Sequence, residues 1–148
     1  MTRVVVTGGL GFIGSHVVDA YLAAGHYVTM IDSTVSAVTN GSEYEGHPRC
    51  VVIRKSIEDF FADGGSFEDA DRVVHAAAHV GPAGILQYAG RLGSDMVRGV
   101  ELVIEDCLRS DAPLCVFSSA EVYGRSGLLG EKDDIRVPTG YNARIEYA

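Results

Sequence analysis

A run of β-branched residues near the N-terminus breaks into closely spaced glycines and then into an apolar pattern of helical period. Residues 4–14 read VVVTGGLGFIG, and Ile13, Val17, Tyr21 and Leu22 then recur at helical spacing. Glycines let the backbone turn sharply, a phosphate can approach their bare main chain, and the next helix presents unpaired N–H groups to an anion. The order of strand, turn and helix therefore predicts a pyrophosphate site.

The glycines can be read in two ways. Read from Gly9 they match G-x-G-x-x-G, and the other pattern, G-x-x-G-x-x-G, runs through Gly8, Gly11 and Gly14. The threonine before the run and the Phe-Ile pair inside it favour the second pattern. A plain strand-to-helix turn without a ligand is the alternative, and the surrounding strand and helix patterns disfavour it.

An acidic residue ends the second predicted strand. This strand covers Tyr27 to Ile31, and Asp32 follows it 18 residues after Gly14. A carboxylate there can accept both ribose hydroxyls of an adenosine and would repel the extra phosphate of NADP, which favours NAD. The alternative is that Asp32 only caps the following loop. Residues 33–48 are rich in Ser, Thr, Asn and Gly without an apolar period, which predicts a surface loop.

Composition restricts the possible functions. The 148 residues are 47% hydrophobic and 22% charged, as expected for one globular domain, and they contain no apolar run long enough to cross a membrane. A net charge of −8 argues against nucleic acid as a partner. The start of the sequence carries no signal-peptide pattern, so we expect a cytoplasmic location. Cys50, Cys107 and Cys115 lack C-x-x-C spacing and lie in apolar segments, which predicts buried thiols and no metal site.

Strand and helix patterns alternate along the chain. Such alternation predicts right-handed βαβ crossovers and an α/β fold with a doubly wound parallel sheet of five strands. Besides the first two strands we predict strands at 50–54, 72–76 and 114–118, a short helix at 57–62, and an amphipathic helix from Met96 to before Pro113.

Four segments together resemble a known family. TGGLGFIG at 7–14, Asp32, VVHAAA at 73–78 and FSSAEVYG at 117–124 resemble the NAD-dependent epimerase/dehydratase branch of the extended short-chain dehydrogenase/reductase superfamily, in the same order along essentially the whole chain. The resemblance implies a Rossmann-like fold, a tightly bound NAD, and a nucleotide-sugar substrate that is oxidised transiently by hydride transfer and then epimerised or dehydrated.

The resemblance also implies the catalytic residues. Ser119 stands where the family has a serine that hydrogen-bonds the substrate oxygen, and a tyrosine in a Y-x-x-x-K word removes the hydroxyl proton. Lys55 and Lys132 are the only lysines, and both precede the candidate tyrosines. Tyr147 fits the tyrosine's place, with its lysine expected at position 151, and Tyr141 is the fallback. We therefore expect residues 1–148 to be an NAD(P)-binding Rossmann domain truncated within the catalytic helix, without the C-terminal substrate lobe.

Further cofactor contacts follow from the same resemblance. Ser56 replaces an aspartate that the family places against the adenine amine, and Ile57 offers its backbone beside it. Three alanines should be small because the cofactor crosses the end of the fourth strand, although tight packing would explain them equally well. The expected contacts are Gly8, Gly11, Phe12, Ile13, Gly14, Asp32, Ser33, Ser56, Ile57, Ala76, Ala77 and Ala78.

These observations predict the NAD-binding portion of a nucleotide-sugar epimerase or dehydratase, inactive as this fragment. Its fifth strand would be an open sheet edge prone to pairing, so we expect oligomers. The alternative is a non-catalytic NAD-binding regulatory or redox-sensing module. An NADP-dependent reductase of small carbonyls is disfavoured, because Asp32 is not closely followed by an arginine.

Overall fold

The structure is a computed structural model that describes residues 1–79 and 90–118. Within these ranges the chain forms five strands and three helices. In chain order they are β1 (Arg3–Thr7), α1 (Phe12–Ala23), β2 (Tyr27–Ile31), β3 (Cys50–Ile53), α2 (Ile57–Ala62), β4 (Arg72–His75), α3 (Leu92–Ser110) and β5 (Leu114–Val116).

The five strands form one sheet in the order β3-β2-β1-β4-β5, and every neighbouring pair is parallel. Thr7 at the end of β1 is in register with Ile31 of β2 on one side and with His75 of β4 on the other. The carboxyl ends of these three strands therefore meet at one edge of the sheet, as expected for a doubly wound fold. The predicted Rossmann-like architecture is confirmed.

Helices cover both faces of the sheet. Val4 and Val6 pack in a core cluster with Val18 and Leu22 of α1. Val5 points to the opposite face, whose cluster contains residues of α2 and α3 such as Ile57, Val103 and Cys107. Because successive side chains of a strand alternate between faces, a central strand covered on both sides needs the continuous apolar run that β1 has.

The predicted element boundaries differ from the observed ones mainly at the ends. The third, fourth and fifth strands end one or two residues earlier than predicted, and α3 begins at Leu92, four residues before Met96. The first turn of α3 contains glycine, serine and aspartate, so its apolar period is visible only from Met96 onward. Asp111 ends the helix in a left-handed conformation, with a φ of 55°.

The three cysteines differ in exposure. Cys107 is buried and Cys50 is half-buried, whereas Cys115 is exposed, so the prediction of a buried thiol is wrong for Cys115. This residue is the register partner of Val74 and lies in β5, the strand at the end of the sheet. Within the described parts of the chain, no helix is long and apolar enough to cross a membrane.

Candidate functional site

The turn between β1 and α1 is built closely enough to require glycine at two positions. Gly8 has a φ of +70°, its amide donates to the Ile31 carbonyl at 2.7 Å, and an added Cβ would lie 2.7 Å from the Ala77 backbone. A Cβ on Gly14 would collide with the carbonyl oxygen of Gly8. The Gly11 amide closes the turn by donating to that same oxygen at 3.0 Å. The turn is therefore packed backbone to backbone, with Gly8 lying against Ala77 and against Gly14 of α1.

Among the described residues, no side chain caps the free amides at the amino end of α1. Gly11 occupies the N-cap position in an extended conformation, and the first turn of the helix contains no acidic residue. Phe12 and Ile13 at the start of the helix are 70% and 50% exposed. The first amides of a helix have no intrahelical acceptor and carry the positive end of its dipole. This end of α1 is therefore suited to an anion.

Asp32 connects the end of β2 to the glycine turn. The residue is 8% exposed, and its Oδ2 accepts a hydrogen bond from the Leu10 amide at 2.9 Å. Its Oδ1 accepts one from the Thr34 amide at 2.7 Å, which is the loop-capping role that we considered as an alternative. Each carboxylate oxygen has two lone pairs, so each retains an acceptor position for a hydroxyl group.

The loop at residues 33–49 packs on the glycine turn. The amides of Val38 and Thr39 donate to the Leu10 carbonyl at 2.8 and 3.4 Å. Tyr44 is buried, and its hydroxyl donates to Asp19 of α1 at 2.9 Å. Burial, together with this hydrogen bond, raises the pKa of Tyr44 well above its usual value. The prediction of a plain surface loop is therefore incomplete, because backbone bonds leave no periodic signal in the sequence.

A buried polar pair joins the ends of β1 and β4. Thr7 Oγ1 lies 2.7 Å from His75 Nδ1, and the Ala77 amide donates to the same oxygen at 3.3 Å. Burial lowers the pKa of His75 to about 4, so the ring is neutral at pH 7. Ala76, Ala77 and Ala78 follow at the carboxyl edge and are half-buried. The backbone of Ala77 lies against Gly8, so close packing accounts for a small residue here.

Ser33, Ser56 and Ile57 lie near the carboxyl ends of β2 and β3. Ser33 is exposed and directly follows Asp32, whose amide extends the ladder to the Ile53 carbonyl at 3.0 Å. Ser56 is the N-cap of α2, and its Oγ accepts from the Asp59 amide at 3.0 Å. The hydroxyl proton remains available for donation. The Ile57 side chain is buried in the core, which leaves its backbone for a ligand contact.

The predicted catalytic residues Ser119 and Tyr147, and the fallback Tyr141, lie outside the described residues. The chain leaves β5 at the edge where the other candidates gather, since the Phe117 amide donates to the His75 carbonyl at 3.2 Å. In residues 1–79 and 90–118 no group of three or more His, Cys, Asp or Glu side chains could hold a metal ion.

Sequence reasoning missed Leu10, Thr7 and His75 as organising residues of this site. A signal was present for Leu10, because a large apolar side chain inside a glycine turn indicates burial, and Leu10 is fully buried. No local pattern pointed to the Thr7–His75 pair, whose members are 68 residues apart.

Comparisons with known proteins agree with this geometry. The sequence model of the NAD-dependent epimerase/dehydratase family matches residues 4–148. A UDP-glucose 4-epimerase from Neisseria meningitidis serogroup C is 28% identical over 146 residues, which cover 92% of this chain and 42% of that protein.

Two solved structures are similar as well. The UDP-N-acetylglucosamine 4-epimerase from Methanobrevibacter ruminantium M1, in complex with UDP-N-acetylmuramic acid, superposes with a TM-score of 0.80 at 28% identity, over 98% of this chain and 47% of that one. The NAD-dependent NDP-hexosamine 5,6-dehydratase TunA, involved in tunicamycin biosynthesis, gives a TM-score of 0.76 at 26% identity, over 99% of this chain and 46% of that one. The chain thus spans less than half the length of the relatives it matches.

Proposed function

The chain belongs to the NAD-dependent epimerase/dehydratase family, and on this premise we propose that it binds NAD at the carboxyl edge of its sheet. We propose further that it is the NAD-binding portion of an enzyme that epimerises or dehydrates a nucleotide sugar. The observation that carries the proposal is the amino end of α1, which has neither a side-chain cap nor an acid and begins at a turn of bare glycine backbone.

The pyrophosphate of the cofactor fits this end of α1. Gly11, Phe12, Ile13 and Gly14 would offer backbone amides to it, and the glycine at position 14 keeps the helix tight against the turn. Backbone amides and the helix dipole stabilise an anion without a positively charged side chain. When bound, NAD supplies the hydride acceptor for transient oxidation of a substrate alcohol.

Asp32 is the residue that would hold the adenosine ribose. Its two oxygens are fixed by the Leu10 and Thr34 amides, and each keeps an acceptor position for a ribose hydroxyl. The 2′-phosphate of NADP would be repelled by this buried carboxylate, which favours NAD. Ser56 and the Ile57 backbone would lie on the adenine side, and Ala76, Ala77 and Ala78 would line the path across the end of β4.

The substrate class rests on the relatives alone. The similar proteins are named for UDP-glucose, UDP-N-acetylglucosamine and an NDP-hexosamine, so we propose a nucleotide sugar as the small-molecule substrate. Ser119 would bind the reacting oxygen of the sugar, and Tyr147 would accept its proton. A cytoplasmic location, self-association through β5 and the extent of the domain within the complete protein stay predictions.

Calorimetric titration of the protein with NAD and with NADP tests the proposal. We expect NAD to bind at least about tenfold more tightly, which corresponds to about 1.4 kcal/mol. Asp32→Ala should weaken NAD binding and remove the preference. Asp32→Asn is the matched control for charge, because it keeps the side-chain size and should admit NADP. Equal affinity for the two cofactors that does not change in Asp32→Ala, or no binding of either, would contradict the proposal.

A further inference from the structure

We propose that the 33–49 loop holds the glycine turn in its binding geometry by packing on the Leu10 side chain and hydrogen bonding to the Leu10 carbonyl, an arrangement that we call the Leu10 clasp. This makes Leu10 a positioning residue for the dinucleotide. The inference rests on the proposed NAD site and adds a second element to it. Leu10 itself need not touch the cofactor, because its side chain is fully buried beneath this loop. Its effect would pass through the amides of the residues that follow it.

Three hydrogen bonds fix the backbone of Leu10 on both sides. Its amide donates to Asp32 Oδ2 at 2.9 Å. Its carbonyl accepts from the Val38 amide at 2.8 Å and from the Thr39 amide at 3.4 Å. The next residue, Gly11, is the N-cap of α1, so these bonds orient the peptide that leads directly into the proposed pyrophosphate site.

Gly41 is where the loop meets the Leu10 side chain. It has a φ of +75°, and an added Cβ would lie 2.7 Å from Leu10 Cδ2. The Gly41 carbonyl accepts from the Tyr44 amide at 3.0 Å, and the Tyr44 hydroxyl reaches Asp19 of α1. The loop is thus attached both to the turn and to the helix that the turn precedes.

This arrangement has a consequence for binding. Backbone amides recognise a phosphate only when they are held in a converging geometry, and holding them before the ligand arrives lowers the cost of binding. If the loop separates from Leu10, the turn keeps its glycines and its bond to Asp32 but loses the two bonds from the Val38 and Thr39 amides to the Leu10 carbonyl. Dinucleotide affinity should therefore fall by more than the loss of stability alone explains.

The first test compares Leu10→Ala with Leu22→Ala. Both leucines belong to the same core cluster, but Leu22 lies near the far end of α1. Truncation of either should destabilise the fold, since each opens a cavity in that cluster. We expect Leu10→Ala to weaken binding of NAD and of ADP-ribose by at least about tenfold, the effect of losing one hydrogen bond to a charged group. Leu22→Ala, measured while still folded, should change both affinities by less than about twofold.

The second test uses two glycines of the loop and does not require removal of a core side chain. Gly41 and Gly46 both have positive φ, at +75° and +81°, but an added Cβ at Gly46 meets no atom of the described residues within 4 Å. Alanine strains the backbone at both positions, whereas only Gly41→Ala pushes the loop away from Leu10. We expect Gly41→Ala to weaken NAD binding and to speed hydrogen exchange at the Val38 and Thr39 amides, and Gly46→Ala to do neither.

The possible outcomes separate this inference from the proposed function. If the unmodified protein binds no NAD, the proposed site fails and the inference fails with it. If the unmodified protein binds NAD but Leu10→Ala and Gly41→Ala bind it as tightly as their controls, only the role of the loop is overturned. Selective loss in both test variants would support the Leu10 clasp.

Discussion

The amino ends of α1 and α2 both follow a parallel strand, yet the chain treats them in opposite ways. At α2, Ser56 caps the helix by accepting from the Asp59 amide, and Glu58 and Asp59 in the first turn complement the dipole. At α1, the N-cap is Gly11, no side chain in residues 1–79 and 90–118 caps the helix, and no acid lies in the first turn. Two helices that begin at the same edge of one sheet thus differ in whether the chain's own side chains cap their first amides.

The difference shows how a ligand site can be distinguished from an ordinary helix start. A side-chain cap typically contributes about 1 kcal/mol, and an acid in the first turn adds a fraction of this. The α2 end uses both contributions for its own stability, whereas the α1 end uses neither. The glycines around α1 also bring backbone closer together than any side chain would allow. We interpret the missing cap as the position that the cofactor's phosphates would take.

The largest expected effect comes from adding a side chain where α1 packs against the glycine turn. In Gly14→Ala the new Cβ would collide with the Gly8 carbonyl, so the turn and the helix must separate. We expect the free energy of unfolding to fall by more than about 3 kcal/mol, the upper end of the usual cost of over-packing. We also expect NAD to bind at least about a hundredfold more weakly. Urea unfolding and calorimetry measure the two effects.

Gly25→Ala at the other end of α1 is the control for this substitution. Gly25 has a φ of +85°, but an added Cβ there meets nothing within 4 Å in the part of the chain that the structure describes. This variant should lose about 1 to 2 kcal/mol from backbone strain alone and keep its NAD affinity. If Gly14→Ala behaves like Gly25→Ala, the α1 end is an ordinary helix start.

The next effect is a dependence of stability on pH that arises where the end of β1 meets the end of β4. Burial lowers the pKa of His75 to about 4, against 6.5 for an exposed ring, so the unfolded chain takes up a proton at higher pH than the folded one. The contribution of the neutral, buried His75 to the free energy of unfolding is therefore complete above pH 6.5 and is lost as the pH falls towards 4. Its size is about 3 kcal/mol. Urea unfolding between pH 7 and pH 4 measures it.

Two variants identify the group responsible for this pH dependence. His75→Asn keeps a hydrogen-bonding side chain beside Thr7 but does not titrate, so its stability should change less with pH in this range. His16→Asn makes the same replacement at an exposed histidine on α1 and is the matched control. An unchanged slope in His75→Asn would show that another group is responsible.

The smallest expected effect is at the α2 end. Ser56→Ala removes the cap and should cost about 1 kcal/mol in urea unfolding, whereas Ser56→Asp retains a cap and should keep the stability. Because Ser56 would contribute only a weak adenine contact, we expect NAD affinity to change by less than about threefold in Ser56→Ala. A loss of affinity as large as that of Gly14→Ala would remove the distinction between the two helix ends.

Local patterns predicted the elements well and their ends less well. The predicted bounds of the second strand, Tyr27 to Ile31, are the observed ones, because a run rich in β-branched and apolar residues specifies a buried strand without help from distant contacts. The start of α3 was placed four residues late, because its polar first turn carries no apolar period. The burial of Tyr44 was not predicted, since it depends on Asp19 and on the shape of a loop without periodicity.

The sequence by itself determined the fold class, the glycine turn and the family, because strand and helix periods and the spacing of glycines are properties of neighbouring residues. Only the tertiary structure decided how Leu10 is clasped by the 33–49 loop, how Thr7 meets His75, and that Asp32 is fixed by two amides. These contacts join residues as many as 68 positions apart. They form because parallel strands bring their carboxyl ends to one edge of the sheet. Buried polar groups at this edge must be hydrogen-bonded, and their partners come from segments that are distant in the sequence but adjacent in the fold.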